Sequence, residues 1–158
     1  MAAQGCPCGY LGDPTRECRC TAPQIQRYRG RVSGPLRDRI DLIVEVPAVP
    51  ASAFGAPPGG ESTSDVRARV VGARARQAER LQVHRLRVNA EMHGRLLWRY
   101  CRPDPAGARL LETALERLRL TARGYDRVLK VARTIADLEG AGQIGATHVG
   151  EALQFRIV

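Results

Sequence analysis

Thr121-Ala-Arg-Gly-Tyr-Asp-Arg-Val-Leu-Lys-Val-Ala-Arg-Thr-Ile-Ala-Asp-Leu138 is the stretch on which the fold turns. Tyr125, Val128, Leu129, Ala132, Ile135 and Ala136 recur at helical spacing, which predicts an amphipathic helix over 122–139. Thr121 is placed to cap its start, and Gly140 and Gly142 to end it. Upstream, Leu110, Leu111, Ala114, Leu115 and Leu118 give 108–118 a broad apolar face. Downstream, Val149, Ala152 and Leu153 do the same for 147–155. Three such helices with short joins form a compact bundle.

Further out the signals thin. Ser62 or Ser64 can cap a helix over 65–83, with Asp65 at the positive end of its dipole. Its apolar stripe, Val66, Val70, Ala73, Gln77 and Leu81, is narrow, and Arg67, Arg69, Arg74, Arg76 and Arg80 crowd the other faces. Such a helix leans on a partner. Residues 47–60 are a Pro-, Ala- and Gly-rich connector. Before it, Ile40, Leu42, Val44 and Val46 alternate with Asp41, Ile43 and Glu45, predicting a strand closed by Pro47. Residues 1–30 are broken by Gly and Pro too often for a long helix, but Thr21, Pro23 and Gln24 can open a short one that Gly30 weakens.

Twenty-five basic residues against 16 acidic ones give a formal charge of +9, and Lys130 is the single lysine. Arginine suits bidentate contacts to phosphate and carboxylate, although an Arg-for-Lys compositional bias explains the same excess. The exposed face holding Arg67, Arg74 and Arg76 is either a nucleic-acid stripe or a solvated helix face. No apolar run approaches the roughly 20 residues needed to span a bilayer, and no charged-then-apolar leader opens the sequence. That reading places the chain in the cytoplasm, where structural disulfides are rare. Cys6, Cys8, Cys18 and Cys20, spaced C-x-C-x9-C-x-C, then read as zinc ligands or as free thiols in a surface loop. Cys101, beside Trp98 and Tyr100, reads as a small packing residue. His84, His93 and His148 show no metal spacing.

Three stretches together resemble one family: Cys6-Pro-Cys-Gly-Tyr-Leu-Gly-Asp-Pro through Cys18-Arg-Cys20, then 33–46, then 121–138. They are similar to the magnesium-chelatase-like AAA+ ATPases of the YifB/ComM type, associated with competence and DNA handling. The resemblance runs from Ala2 to Arg156 and corresponds to about the C-terminal third of a family member. It implies that Arg39, in Leu-x-Asp-Arg-Ile-Asp, is an arginine finger reaching the γ-phosphate of a neighbouring subunit. It implies that Arg123 is sensor 2, touching nucleotide phosphates from the helical lid, near a helix start that itself favours anions. Gln4-Gly5 stands where relatives carry the Asn-Pro of sensor 1, so Gln4 would be a degenerate sensor 1. Arg37 stands where relatives usually have Leu. Judged without the resemblance, Arg39 reads instead as a surface ion pair to Asp38 or Asp41.

The sequence contains no Gly-x4-Gly-Lys-Ser/Thr and no strand ending in paired acids for magnesium. Phosphoryl transfer needs both a phosphate cradle and a metal site. The expectation is therefore a mainly α chain in three parts. Residues 1–47 are the tail of an AAA+ α/β core, with the Cys-rich loop, one strand and the finger segment. Residues 48–94 hold the connector and the arginine-rich helix, and 95–158 form the helical lid. ATP and magnesium would be bound only within a complete assembly, a hexameric ring with DNA as its further partner, and this chain would not hydrolyse ATP alone. Two other expectations stand beside it: a self-standing zinc- and DNA-binding module, and a partner completing a separate ATPase core in trans.

Overall fold

The computed structural model describes residues 3–37, 39–55 and 59–156. Asp38 of the finger motif and residues 56–58 of the connector lie outside the described residues, as does the side chain of Arg37. The chain divides into two compact units, one of residues 1–40 and 44–58, the other of 41–43 and 59–158.

In the first unit, Gly9 and Gly12 take φ of 83° and 84°, left-handed values that glycine adopts without a Cβ clash. The Gly9 N–H closes a turn on the Cys6 carbonyl at 3.1 Å. A second turn is locked by Asp13, whose Oδ1 accepts from Thr15 N and Thr15 Oγ1 at 2.7 Å each and from Arg16 N at 3.0 Å. Helix α1, Ala22–Arg29, begins as its sequence predicts: Thr21 is the N-cap residue and the Thr21 N–H donates to Gln24 Oε1 at 2.9 Å. A single turn, α2 (Gly34–Arg37), follows.

The strand expected over 40–46 does not form, and no strand is present among the described residues. The alternation of Ile40 to Val46 is real, but a strand exists only as one side of a ladder, and no ladder partner for it is present among the described residues. Leu42, Val44 and Val46 are exposed. The Ile43 N–H donates instead to the Phe155 carbonyl, at 3.0 Å. The mainly α expectation holds; the sheet edge does not appear.

The second unit is helical: α3 (Thr63–Leu81), α4 (Arg95–Tyr100), α5 (Pro105–Arg117), α6 (Ala122–Glu139) and α7 (Ala146–Gln154). Side-chain caps set three of the starts. Ser62 Oγ accepts from Asp65 N at 3.2 Å, Asp104 Oδ1 from Gly107 N at 2.6 Å, and Thr121 Oγ1 from Gly124 N at 3.1 Å, each satisfying one orphan N–H. Gly140, at φ 77°, turns the chain out of α6 while the Ala141 N–H bonds back to the Ala136 carbonyl at 2.8 Å. Helix α6 lies at the centre, against α3, α4 and α7, and α5 packs on α7. Leu81, Met92, Leu111, Val128, Ala132, Ala136, Ile144 and Val149 make the core.

Helix α3 buries only its second half. Ala73, Gln77 and Leu81 are inside, whereas Val66 and Val70 of the expected stripe are exposed, as is Val71. Besides Leu81 in the core, polar contacts fix α3 to α6. Asp137 has no solvent exposure. Its carboxylate accepts from Arg80 at both oxygens (Nη1 to Oδ2, 3.0 Å), from Arg133 Nε at 3.1 Å and from Asn89 Nδ2 at 2.8 Å. Arg133 spends its other nitrogens on the carbonyls of Gly142 and Ala141, at 2.9 and 2.6 Å. Among the described residues no buried side-chain polar atom lacks a partner, the condition under which a buried charge is tolerated.

Candidate nucleotide-sensing arginines and a cysteine cluster

In the first unit the loop geometry gathers four thiols. Sγ of Cys6 stands 3.4 Å from that of Cys8 and 3.6 Å from that of Cys18, and the Cys8 and Cys18 sulfurs are 3.6 Å apart. With Cys20, all four sulfurs fall within 4.8 Å of one another. The cysteines are not paired in disulfides. Their acidities split. The backbone N–H of Tyr10 draws the Cys8 thiol down to about 6. For Cys6, burial and the Cys8 sulfur act upward, but the N–H groups of Leu11 and Gly9 and the Cys18 thiol leave it lowered. The Cys20 N–H acts downward on Cys18, yet burial and the Cys6 and Cys8 sulfurs raise it. On Cys20 the Cys8 N–H pulls down, while burial and three sulfurs carry the thiol up to about 12. Sulfurs this close cannot all carry charge without a cation among them.

Gln4 is exposed just ahead of this cluster, its amide carbon 4.0 Å from where a Cβ on Gly9 would stand. Arg39 is exposed. Asp41, the other candidate partner in the motif, forms its ion pair with Arg127 of α6.

In the second unit, Arg123 is exposed at the second position of α6, in the turn capped by Thr121. Sequence reasoning missed a second cation beside this turn. Gly124 is buried, and a Cβ there would meet Arg156 Nη2 at 3.4 Å and Thr121 Oγ1 at 3.5 Å, so the Arg156 guanidinium lies over the first turn of α6. The glycine at the third helical position was the signal that something packs closely there.

The three arginines considered for nucleic acid fare differently. Arg67 is exposed. Arg74 is exposed and reaches Gln77 Oε1 at 3.3 Å. Arg76 donates to the Asp137 main-chain carbonyl at 2.9 Å, at the C-terminal end of α6, where a cation suits the dipole. Cys101 is fully buried in the core as expected, and burial pushes its thiol up to about 12. Of the histidines, His84 bonds the Tyr100 hydroxyl at 3.0 Å. His148 Nδ1 accepts from Gly145 N at 2.7 Å while its Nε2 donates to Glu139 Oε2 at 2.8 Å. His148 therefore stitches the turn between α6 and α7.

Two family models together match most of this chain. Residues 1–54 match magnesium chelatase, subunit ChlI, and residues 60–156 match the C-terminal part of the same subunit. The chain belongs to the magnesium chelatase subunit ChlI family. It is 47% identical over 156 residues to a protein of Mycobacterium tuberculosis, covering 99% of this chain and 30% of the relative. It is 42% identical over 141 residues to YifB of Salmonella typhimurium, covering 89% of this chain and 27% of that protein. It is 41% identical over 139 residues to the competence protein ComM of Haemophilus influenzae, covering 87% of this chain and 26% of that protein. The chain thus spans less than a third of the length of these relatives. This confirms a YifB/ComM-type resemblance over most of the chain. No helix among the described residues is long and apolar enough to cross a membrane.

Proposed function

We propose that this chain is the finger-and-lid portion of a YifB/ComM-type AAA+ ATPase. In it, Arg39 acts in trans on a neighbouring subunit's nucleotide and Arg123 senses the nucleotide of its own subunit. The observation that carries the reading is the placement of Arg123. It is solvent-facing in the first turn of a capped helix, where the free ends of the peptide dipoles already favour phosphate. A cation in that position opposes its own helix dipole, so its place is better explained by an anion that both would bind. The exposure of Arg39 supports the finger role, because a finger must reach a surface outside its own chain.

The residues present fit part of a nucleotide site. They offer guanidinium groups for phosphate oxygens but no phosphate-cradling loop and no paired acids for magnesium. ATP and magnesium belong to the full assembly, a hexameric ring acting on DNA, with the exposed Arg67 and Arg74 as candidate contacts to the DNA backbone. Gln4, if it orients water at all, does so as a longer substitute for the usual amide.

The test is phosphate release from this chain, alone and mixed with a Walker-bearing core of the same family. Alone it stays at background; with the core, turnover appears and falls about 10³-fold or more in Arg39→Ala. Magnesium-dependent turnover that follows the lone chain through purification would overturn the reading, as would full activity of the Arg39→Ala mixture. DNA affinity of the lone chain that falls steeply with salt and drops in Arg67→Ala/Arg74→Ala would favour a self-standing DNA-binding module instead.

A further inference from the structure

The first unit has a folding problem that apolar burial does not solve. Among its described residues Cys6 is the one buried side chain, and α1 buries none. Ordering a residue costs on the order of 1.5 kcal/mol, and a small unit with so little buried apolar surface rarely meets that cost without a disulfide, a metal or a partner. Yet the loop is built in detail. Two left-handed glycines, the Asp13 turn and the Arg29 Nε–Gly5 carbonyl bond at 3.1 Å all converge on the thiol cluster. Pro7 fixes the backbone between Cys6 and Cys8, holding the narrow C-x-C bite.

We infer that Cys6, Cys8, Cys18 and Cys20 together hold one zinc ion, and that this ion is the interior of the first unit. A tetrahedral zinc with Zn–S bonds of about 2.3 Å places its sulfurs about 3.8 Å apart. The Cys6, Cys8 and Cys18 sulfurs, 3.4 to 3.6 Å apart, need only a slight opening to meet that geometry, and the Cys20 sulfur lies within 4.8 Å of all three. A multi-iron cluster spreads its thiolates over several metal ions and would need these sulfurs farther apart. The Gly9 N–H, bonded to the Cys6 carbonyl at 3.1 Å, closes the turn that brings the Cys6 and Cys8 sulfurs together. The Arg29–Gly5 bond then passes the order of the metal loop to α1. This inference is independent of the nucleotide reading.

The experiment is metal analysis of the full chain purified under reducing conditions, followed by exchange of the bound metal for cobalt(II). One zinc per chain is expected, with charge-transfer and d–d absorption of a tetrahedral four-thiolate cobalt site after exchange. Cys101→Ser keeps the full zinc content, and Cys8→Ala/Cys18→Ala loses it. Chelation makes residues 3–32 protease-sensitive while the thermal midpoint of the 59–156 helices stays unchanged. Near-zero zinc with all four thiols titratable, iron in place of zinc, cobalt spectra of mixed or octahedral ligation, or masses showing disulfides would each overturn the assignment. The cobalt spectrum of the unmutated chain keeps the test valid even if the cysteine variants fail to fold.

Discussion

Arg80 grips both carboxylate oxygens of Asp137, a residue 57 positions later in the chain with no access to solvent. This clamp, joined by Arg133 and Asn89, ties the buried second half of α3 to α6. Removing the acid leaves two guanidinium groups partly or wholly buried without their counter-charge.

Asp137→Ala should therefore lower the stability of the helical unit by about 3–5 kcal/mol. Urea denaturation followed by circular dichroism reads this directly. A double-mutant cycle with Arg80→Ala should show strong coupling between the two sites; additive losses would mean that the clamp does not operate.

Cys101 imposes a pH dependence. Its thiol is carried from an ordinary 9.0 to about 12 in the fold, because burial disfavours the thiolate. Between pH 9.0 and 12 the unfolded chain releases this proton while the folded chain keeps it. The contribution to stability is thus complete below pH 9.0 and declines by about 1.4 kcal/mol per pH unit as pH rises toward 12. Denaturation midpoints at pH 8 to 10.5 should fall more steeply in the parent than in Cys101→Ala. Parallel slopes would show that other groups carry the effect.

Two glycines in helices should respond oppositely to alanine. At Gly107 a Cβ would meet Pro103 Cβ at 3.0 Å and the Gly145 carbonyl carbon at 3.3 Å. Gly107→Ala should cost about 1–3 kcal/mol by overpacking α5 against the segment before α7. At Gly72 the nearest atom is Arg76 Nη1 at 3.5 Å, so Gly72→Ala should gain about 0.5–1 kcal/mol from helix propensity. Thermal melts of the two variants provide the comparison.

Asp41, two residues beyond Arg39, is paired with Arg127, and Ile43 is bonded to Phe155. Asp41 is 60% exposed, so Arg127→Ala should cost less than about 1 kcal/mol in global stability. Proteolytic cleavage within 40–46 should nonetheless accelerate, because local opening responds to the loss of a single anchor. Unchanged cleavage would mean that the Ile43–Phe155 bond suffices.

Helix α6 was legible because cap, period and terminal glycine agree: Thr121, Val128–Leu129–Ala132 and Gly140 each point to the same element. The cysteine cluster was legible from its spacing alone. Residues 40–46 misled because alternation reports a preference, and a ladder needs a partner that a single segment does not encode. Helix α4 was missed: it has six residues, and it starts after Gly94 at φ 53° with no side-chain cap. The Arg80–Asp137 clamp was invisible for another reason. Arg80 looks like one more surface arginine until the fold brings α6 to it. The start of α5 was placed late because Asp104 and Pro105, its cap and first residue, sit ahead of the apolar run.

Trp98 is the single tryptophan of the chain and is 71% exposed. It stands at the rim of an open apolar pocket of about 410 Å³ lined with Leu97, Leu115, Leu120, Tyr125 and Leu129. The molecule therefore carries its own optical reporter. An indole in water emits to the red and is readily quenched by iodide, so any chain or ligand that covers this face will shift the emission blue and shield it, with no label attached.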